Sequence, residues 1–325
     1  MVKAIRIHAQ GGPDALVLDE VEIGAPGPGE VRLRQTAIGL NFIDVYHRSG
    51  LYPPPRPLPF VPGSEAVGVI EAVGAGVTDL KVGERVGYAG PVGAYAETRL
   101  APAERMIPIP EGIDDRLAAS ILLKGLTARY LLRETFLVTE RTVLLFHAAA
   151  GGVGSIAVQW AKALGATVIG TAGGPGKCAR AKALGCDHVI DYTREDFAAR
   201  VAAITEGGRC DVVYDSVGKD TFPASLDCLK PRGLFVSFGN SSGAIDSFAM
   251  NLLQAKGSLY ATRPTLAQYV TKRSELLESA RDLFEMILSG TVKMDAPISF
   301  PLAEAAAAHR ALEGRRTEGA VVLIP

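Results

Sequence analysis

Residues His147–Gly154 read His-Ala-Ala-Ala-Gly-Gly-Val-Gly and contain Ala149-x-Gly151-x-x-Gly154, one residue short of the G-x-G-x-x-G spacing. An apolar run, Thr142–Phe146, precedes them and an amphipathic run, Ser155–Leu164, follows. Strand, glycine turn and helix N-terminus in that order can hold the pyrophosphate of a dinucleotide. Glycine lets the backbone approach the ligand, and the helix offers unpaired N–H groups and the positive end of its dipole. Ala150, Gly151, Gly152 and Val153 are the expected cradle. The plainer alternative is a tight strand-to-helix turn with no ligand.

The nature of the dinucleotide is read at the end of the next strand. Folds that prefer NAD carry Asp or Glu about 20 residues past the glycine turn, bonded to the ribose 2′-hydroxyl. Here the segment is Thr171-Ala172-Gly173-Gly174-Pro175-Gly176-Lys177, with no acid and one cation. Gly173 and Lys177 therefore point to NADPH, with Lys177 toward a 2′-phosphate; a solvated surface lysine is the other reading. Tyr192 ends a third strand and either faces the adenosine or covers the sheet edge. Phe238, Gly239 and Ser241 lie in the small, polar loop Ser237–Gly243 after a fifth strand, where open α/β sheets bind ligands; a plain surface turn is equally compatible.

These positions need a scaffold, and the texture of the chain supplies one. From Thr142, β-type runs at Val143–Phe146, Thr167–Thr171, His188–Asp191, Asp211–Tyr214, Leu234–Phe238 and Ser258–Ala261 alternate with helical patterns at Gly152–Leu164, Lys177–Leu184, Phe197–Thr205 and Thr221–Leu229. That alternation predicts a doubly wound parallel sheet. The first ~125 residues are instead rich in short β-type runs punctuated by Gly and Pro, and predict a compact, mostly β domain. Leu117–Leu132 and Glu275–Leu288 have helical spacing, Leu302–Leu312 looks helical, and Ala320–Ile324 reads as a last strand.

Composition narrows the function classes. The chain has 325 residues, 48% hydrophobic and 21% charged, with a formal net charge of −1. This suits two globular domains and gives no basic surface for nucleic acid or anionic membrane. No run approaches the roughly 18 apolar residues of a membrane span, and the alternating start MVKAIRIHAQGG reads as a strand, so a cytoplasmic location is expected. Cys178, Cys186, Cys210 and Cys228 form no CxxC pair and read as structural thiols.

Asn41-Phe42-Ile43-Asp44, Arg48-Ser49-Gly50-Leu51-Tyr52, Pro62-Gly63-Ser64-Glu65, Lys124-Gly125-Leu126-Thr127, His147–Gly154, Tyr214-Asp215-Ser216-Val217-Gly218 and Phe238–Gly243 occur in this order. Together they resemble the zinc-free NADPH:quinone oxidoreductases, the zeta-crystallin-like branch of the medium-chain dehydrogenase/reductase superfamily. The resemblance runs over nearly the whole chain. It implies a GroES-like, mostly β catalytic domain from residues 1–123, completed by 266–325, and a Rossmann domain over 124–265. It also implies an active site between the two, and a homodimer through the Rossmann domains.

By the same resemblance Asn41, Tyr46 and Tyr52 line the nicotinamide and acceptor site, and Thr127 approaches the carboxamide. Ser216 joins the cofactor contacts, and Lys177, Tyr192 and Arg315 surround the 2′-phosphate. Packing beneath Pro53-Pro54-Pro55 is the plainer role for the two tyrosines. Zinc enzymes of the superfamily use a Cys and a Gly-His-Glu where this chain has Asn41 and Gly63-Ser64-Glu65, so thiolate and imidazole are both missing and no metal is expected. The implied reaction is hydride transfer from NADPH to a small-molecule quinone, with no obligatory acid or base evident. His47 is a conceivable proton relay, and His147 reads as structural. An NADPH-dependent enone or alkenal reductase would use the same residues. A non-catalytic RNA-binding or structural role is the alternative of a different class, and the near-zero charge weighs against RNA.

Overall fold

The computed structural model describes residues 1–325 except Arg315, Arg316 and Glu318. In chain order the strands are β1 (Val2–Ile7), β2 (Leu16–Val21), β3 (Glu30–Leu40), β4 (Glu65–Val73), β5 (Arg85–Ala89), β6 (Thr98–Pro102), β7 (Ile107–Pro108), β8 (Val143–Phe146), β9 (Thr167–Ala172), β10 (His188–Asp191), β11 (Cys210–Asp215), β12 (Leu229–Ser237), β13 (Tyr260–Thr262), β14 (Ile298–Pro301) and β15 (Val321–Ile324). The α-helices are α1 (Phe42–Ser49), α2 (Asp115–Tyr130), α3 (Gly152–Ala163), α4 (Pro175–Ala183), α5 (Phe197–Ile204), α6 (Asn251–Ala255), α7 (Leu266–Tyr269), α8 (Arg273–Leu288) and α9 (Ala305–Glu313). They fall into two compact units: one of Met1–Leu126, Val270–Phe284 and Asp295–Pro325, the other of Thr127–Tyr269 and Glu285–Met294.

The first unit is built on a seven-stranded sheet in the order β14-β15-β3-β4-β5-β7, with β6 also paired to β3. Strand β3 shows why. Its first half alternates, burying Val31 and Leu33 while Arg32 and Arg34 reach Glu71 of β4 at 3.3 and 3.5 Å. From Ala37 to Leu40 every residue is buried. Ile5, Leu33, Ile38, Leu40, Ile70 and Tyr88 share one apolar core. Fully burying each aliphatic side chain contributes about 1.5–3 kcal/mol.

The second unit is a six-stranded sheet in the order β10-β9-β8-β11-β12-β13, and every pairing in it is parallel. This is the 3-2-1-4-5-6 order of a doubly wound fold, whose winding reverses between β8 and β11 and whose ligands bind beyond the carboxyl ends of the strands. Leu145, Ile169, Val213 and Phe235 from four neighbouring strands form its core. The β/helix alternation legible in the sequence thus corresponds to a parallel sheet. The four cysteines are free, Cys178 half-buried and the others buried. Burial pushes the Cys186 and Cys210 thiols up to about 12, so neither is a thiolate at neutral pH.

Three local expectations change. The helix expected at Thr221–Leu229 is only a 3₁₀ segment, Ala224–Cys228. Pro223 supplies no N–H, and the hydroxyls of Thr221 and Ser225 are drawn to Asp215 at 2.7 and 2.9 Å. The last parallel strand begins at Tyr260, because Ser258 sits at φ 55, outside the β region. Helix α1 was not apparent from periodicity; it starts at Asn41 and stops at Gly50, whose φ of 87 favours glycine.

Gly39 of β3 is tightly packed at the site described next. A Cβ there would lie 2.2 Å from the Ala119 carbonyl oxygen and 2.3 Å from Glu65 Oε2. Gly39→Ala is expected to lose about 3 kcal/mol or more in urea unfolding, whereas Gly12→Ala, with open space around it, stays within about 0.5 kcal/mol of the parent.

Candidate active site

In the second unit the glycine turn joins β8 to α3. Gly154 is required by contact, since a Cβ would meet the carbonyl oxygens of Ala148 and Ala149 at 2.4 and 2.7 Å. Gly151 is the N-cap of α3, and no side chain caps that helix end. The first-turn N–H groups of Gly152 and Val153 have no intrahelical acceptor, so this end suits a phosphate. Ala149, in place of the first glycine, is accommodated from across the sheet. Its Cβ lies 2.7 Å from where a Cβ on Gly170 of β9 would be. The strand opposite lacks a side chain where the turn has one.

At the end of β9 a Cβ on Gly173 would lie 2.5 Å from the Tyr192 hydroxyl. Gly173 and Tyr192 are therefore in contact, and Tyr192 is 42% exposed, with its backbone N–H bonded to the Ala172 oxygen at 3.2 Å. Lys177 is half-buried in the first turn of α4. The acid absent from this strand end lies on the neighbouring one. Asp191 accepts from Thr193 Oγ1 at 2.6 Å, from Gly174 N at 3.0 Å and from Thr193 N at 3.1 Å. These bonds hold its carboxyl below the usual range and engage it with the protein's own backbone. The sequence reading missed this residue, although an Asp two places before a Thr at a strand end is a turn signal.

Beyond β11, the Ser216 oxygen accepts Ser241 N at 3.1 Å, and a Cβ on Gly239 would lie 2.6 Å from that oxygen. Ser216, Gly239 and Ser241 thus form one pair of touching loops, with Phe238 against Phe146 at 5.7 Å between ring centroids. Asp215, fully buried, organises them by accepting from Val217 N, Gly218 N, Thr221 and Ser225. Ser225 also meets His147 Nε2 at 3.0 Å, and Thr171 meets Nδ1 at 3.0 Å. With both nitrogens engaged and its pKa lowered by burial, His147 is a structural, neutral imidazole. Thr127 is half-buried on α2. Arg315 lies outside the described residues.

The first unit gathers the other expected residues on and around α1. Asn41 is its N-cap, with its backbone N–H bonded to Asp44 Oδ2 at 2.9 Å. Tyr46 is buried and stacks at a tilt on half-buried Tyr52, ring centroids 5.1 Å apart. Gln10 ties that loop down, donating to the oxygens of His47 and Tyr52 at 2.8 and 3.1 Å. The two tyrosines therefore pack on one another. Burial lowers the pKa of His47, and its Nδ1 has no hydrogen-bond partner among the described residues.

A buried polar cluster lies directly behind Asn41. Glu65 has no exposed surface; its Oε2 accepts from Asn41 Nδ2 at 2.7 Å and from Lys124 Nζ at 3.4 Å, and its Oε1 from Leu123 N at 2.7 Å. Asp44 is equally buried and accepts from Ser64 and Tyr95, each at 3.3 Å. Burial pushes its carboxyl up to about 7, further raised by Glu65 and opposed by the Asn41 N–H and Lys124. Tyr95 continues to His309 Nε2 at 3.0 Å, and Arg48, 1% exposed, grips Glu313 through two bonds of 2.7 and 3.0 Å. The signal in the sequence was a charge inside an apolar helix, Leu122-Leu123-Lys124-Gly125-Leu126.

Comparison with known proteins follows the same division. Residues 27–111 match the alcohol dehydrogenase GroES-like domain, and residues 152–279 the zinc-binding dehydrogenase family. A quinone oxidoreductase of Pseudomonas aeruginosa is 51% identical over 326 residues, covering all of both chains. A 2-haloacrylate reductase of Burkholderia sp is 50% identical, covering all of this chain and 99% of that one. The crystal structure of Escherichia coli quinone oxidoreductase complexed with NADPH superimposes with a TM-score of 0.97 at 48% identity, over 99% of this chain and all of that one. The donors present do not fit the zinc in the second family's name. The Asn41 amide and the Ser64 hydroxyl are spent on Glu65 and Asp44, and no group of three or more His, Cys, Asp or Glu among the described residues is placed to hold a metal.

The buried Asp44 carboxyl has a pH signature. Between its ordinary 3.8 and about 7 the folded protein holds a proton that the unfolded chain has released, so this group's contribution to stability falls as pH rises through that window. Asp44→Asn, neutral throughout, is expected to gain on the parent by a few kcal/mol in urea titrations as pH rises from about 5 to 8. His147 and His309 are common to both proteins and cancel in the difference. Parallel stability curves would contradict the assignment.

Proposed function

The chain belongs to the quinone oxidoreductases of the medium-chain dehydrogenase/reductase superfamily, and we propose that it reduces quinones with NADPH by hydride transfer that uses no zinc. The observation that carries the reading is the uncapped N-terminus of α3 behind the Ala148–Gly154 turn, in a chain similar over its full length to a relative solved with NADPH.

NADPH supplies a hydride when bound; the protein binds, orients and shields. In this reading Ala150, Gly151, Gly152 and Val153 hold the pyrophosphate. Gly173 leaves room for the Tyr192 hydroxyl, and Lys177, Tyr192 and Arg315 surround the 2′-phosphate. Ser216, Phe238, Gly239 and Ser241 shape the loops at the strand ends, and Thr127 orients the carboxamide. Asn41, Tyr46 and Tyr52 receive the acceptor, Asn41 by hydrogen bonds and the tyrosines by ring faces and hydroxyls. The first unit is the acceptor-binding domain and the second the nucleotide domain. β13 is an edge strand with Tyr260 61% exposed, and we place a homodimer contact there. No helix among the described residues is long and apolar enough to cross a membrane. A cytoplasmic location belongs to the same proposal.

The 50% identity to a 2-haloacrylate reductase supports a second reading, hydride addition to an activated carbon–carbon double bond. Steady-state oxidation of NADPH with 1,4-benzoquinone, an ortho-quinone and a simple enone separates the two. Turnover of the quinones is expected, and turnover of the enone alone would replace the first reading with the second. Lys177→Ala is expected to raise the KM for NADPH by about tenfold, the loss of one charge-assisted contact, and to leave that for NADH nearly unchanged. Equal effects on both would remove Lys177 from the 2′-phosphate site.

A further inference from the structure

Lys124 stands beside Asn41 with no role in the scheme above. Its side chain keeps 10% exposure, whereas that of Glu65, its partner, keeps none. An ammonium has three N–H donors. Two are engaged by long bonds, to Glu65 Oε2 at 3.4 Å and to the Leu40 oxygen at 3.5 Å, and the third has no partner among the described residues. The same Glu65 oxygen holds Asn41 Nδ2 at 2.7 Å. One buried carboxylate therefore fixes a cation and an amide donor side by side. A charge fixed in so dry a place acts far more strongly on a neighbouring charge than it would in water.

We propose that Lys124 is a catalytic residue, whose remaining N–H donates to the acceptor oxygen on which negative charge develops as hydride is added. The proposal rests on the reading of Asn41 as part of the acceptor site. In that step the acceptor gains a hydride, which carries the two electrons, and a proton. The C–H bond that breaks is on the dihydronicotinamide, and its electron pair forms the new bond to the acceptor. The acceptor's π electrons move onto its far carbonyl oxygen, which becomes an anion facing the ammonium. That oxygen takes a proton from Lys124, which recovers one from water. The sum is quinone, NADPH and a proton giving quinol and NADP⁺. Glu65 and Leu40 are positioning groups, and the ammonium supplies fixed positive charge where the zinc ligands of related enzymes have been replaced.

Two readouts test this on Lys124→Gln and on Lys124→Gln/Glu65→Gln, the second of which leaves no unpaired buried charge should the first fold poorly. The first readout needs no turnover: 4-nitrophenol, a coloured stand-in for the quinol anion, is titrated spectrophotometrically with the protein and NADP⁺. Wild type is expected to lower the apparent pKa of the bound phenol by about one unit or more, and the variants to abolish that shift. The second is kcat for 1,4-benzoquinone and its progressively methylated derivatives. The variants are expected to lose about 10²–10³-fold with the least electron-poor quinones and markedly less with the most electron-poor. A retained phenol shift, or one uniform loss across the quinones, overturns the role of Lys124 while leaving the function intact. A wild-type protein that turns over no quinone overturns the functional reading and this proposal with it.

Discussion

A carboxylate with no exposed surface must be satisfied from within, and the first unit is arranged to satisfy Glu65. Leu123 N–H from α2, the Asn41 amide at the start of α1 and the Lys124 ammonium all converge on its two oxygens. Removing any one would leave part of a buried charge uncompensated, which costs several kcal/mol. The demand reaches the backbone, because β3 comes so close at Gly39 that no side chain fits there. Strand, helix start and helix interior are thus held in register by one acceptor.

The second unit repeats the device with Asp215, likewise without exposed surface, at the carboxyl end of β11. Its oxygens take two backbone N–H groups and two hydroxyls, and Ser225 passes the chain of bonds through His147 to Thr171 on β9. The result ties three strand ends together at the edge where the Ser216, Gly239 and Ser241 loops meet. In both units a buried carboxylate gathers several donors, and in the first Asn41 lies one bond outward from it.

The parallel sheet was legible because its signals are local: apolar strands of even length, a glycine turn, helices of regular period. Val143–Phe146 and His188–Asp191 needed no correction. The failures come from side chains that bond nearby groups in place of following the periodic pattern. Thr221 and Ser225 leave the helical pattern for Asp215, and α1 is a short helix whose start uses Asp44 to cap Asn41. Asn41, Tyr46 and Tyr52 were found through resemblance, not periodicity. Glu65 and Lys124 were visible as charges among apolar neighbours, but their pairing spans 59 positions and no local pattern encodes it.

The exchange between Ala149 and Gly170 bears on how this chain recombines with its relatives. The space a side chain on Gly170 of β9 would need is taken by the Cys186 sulfur at 2.6 Å and by the Ala149 methyl of the glycine turn at 2.7 Å. A hybrid gene whose crossover falls between codons 149 and 170 would inherit the turn from one parent and the strand from the other. If the second parent carried a side chain at the strand position, it would collide with groups already in place behind the glycine turn. The stretch between them therefore behaves as a single heritable block, even though neither residue touches chemistry itself.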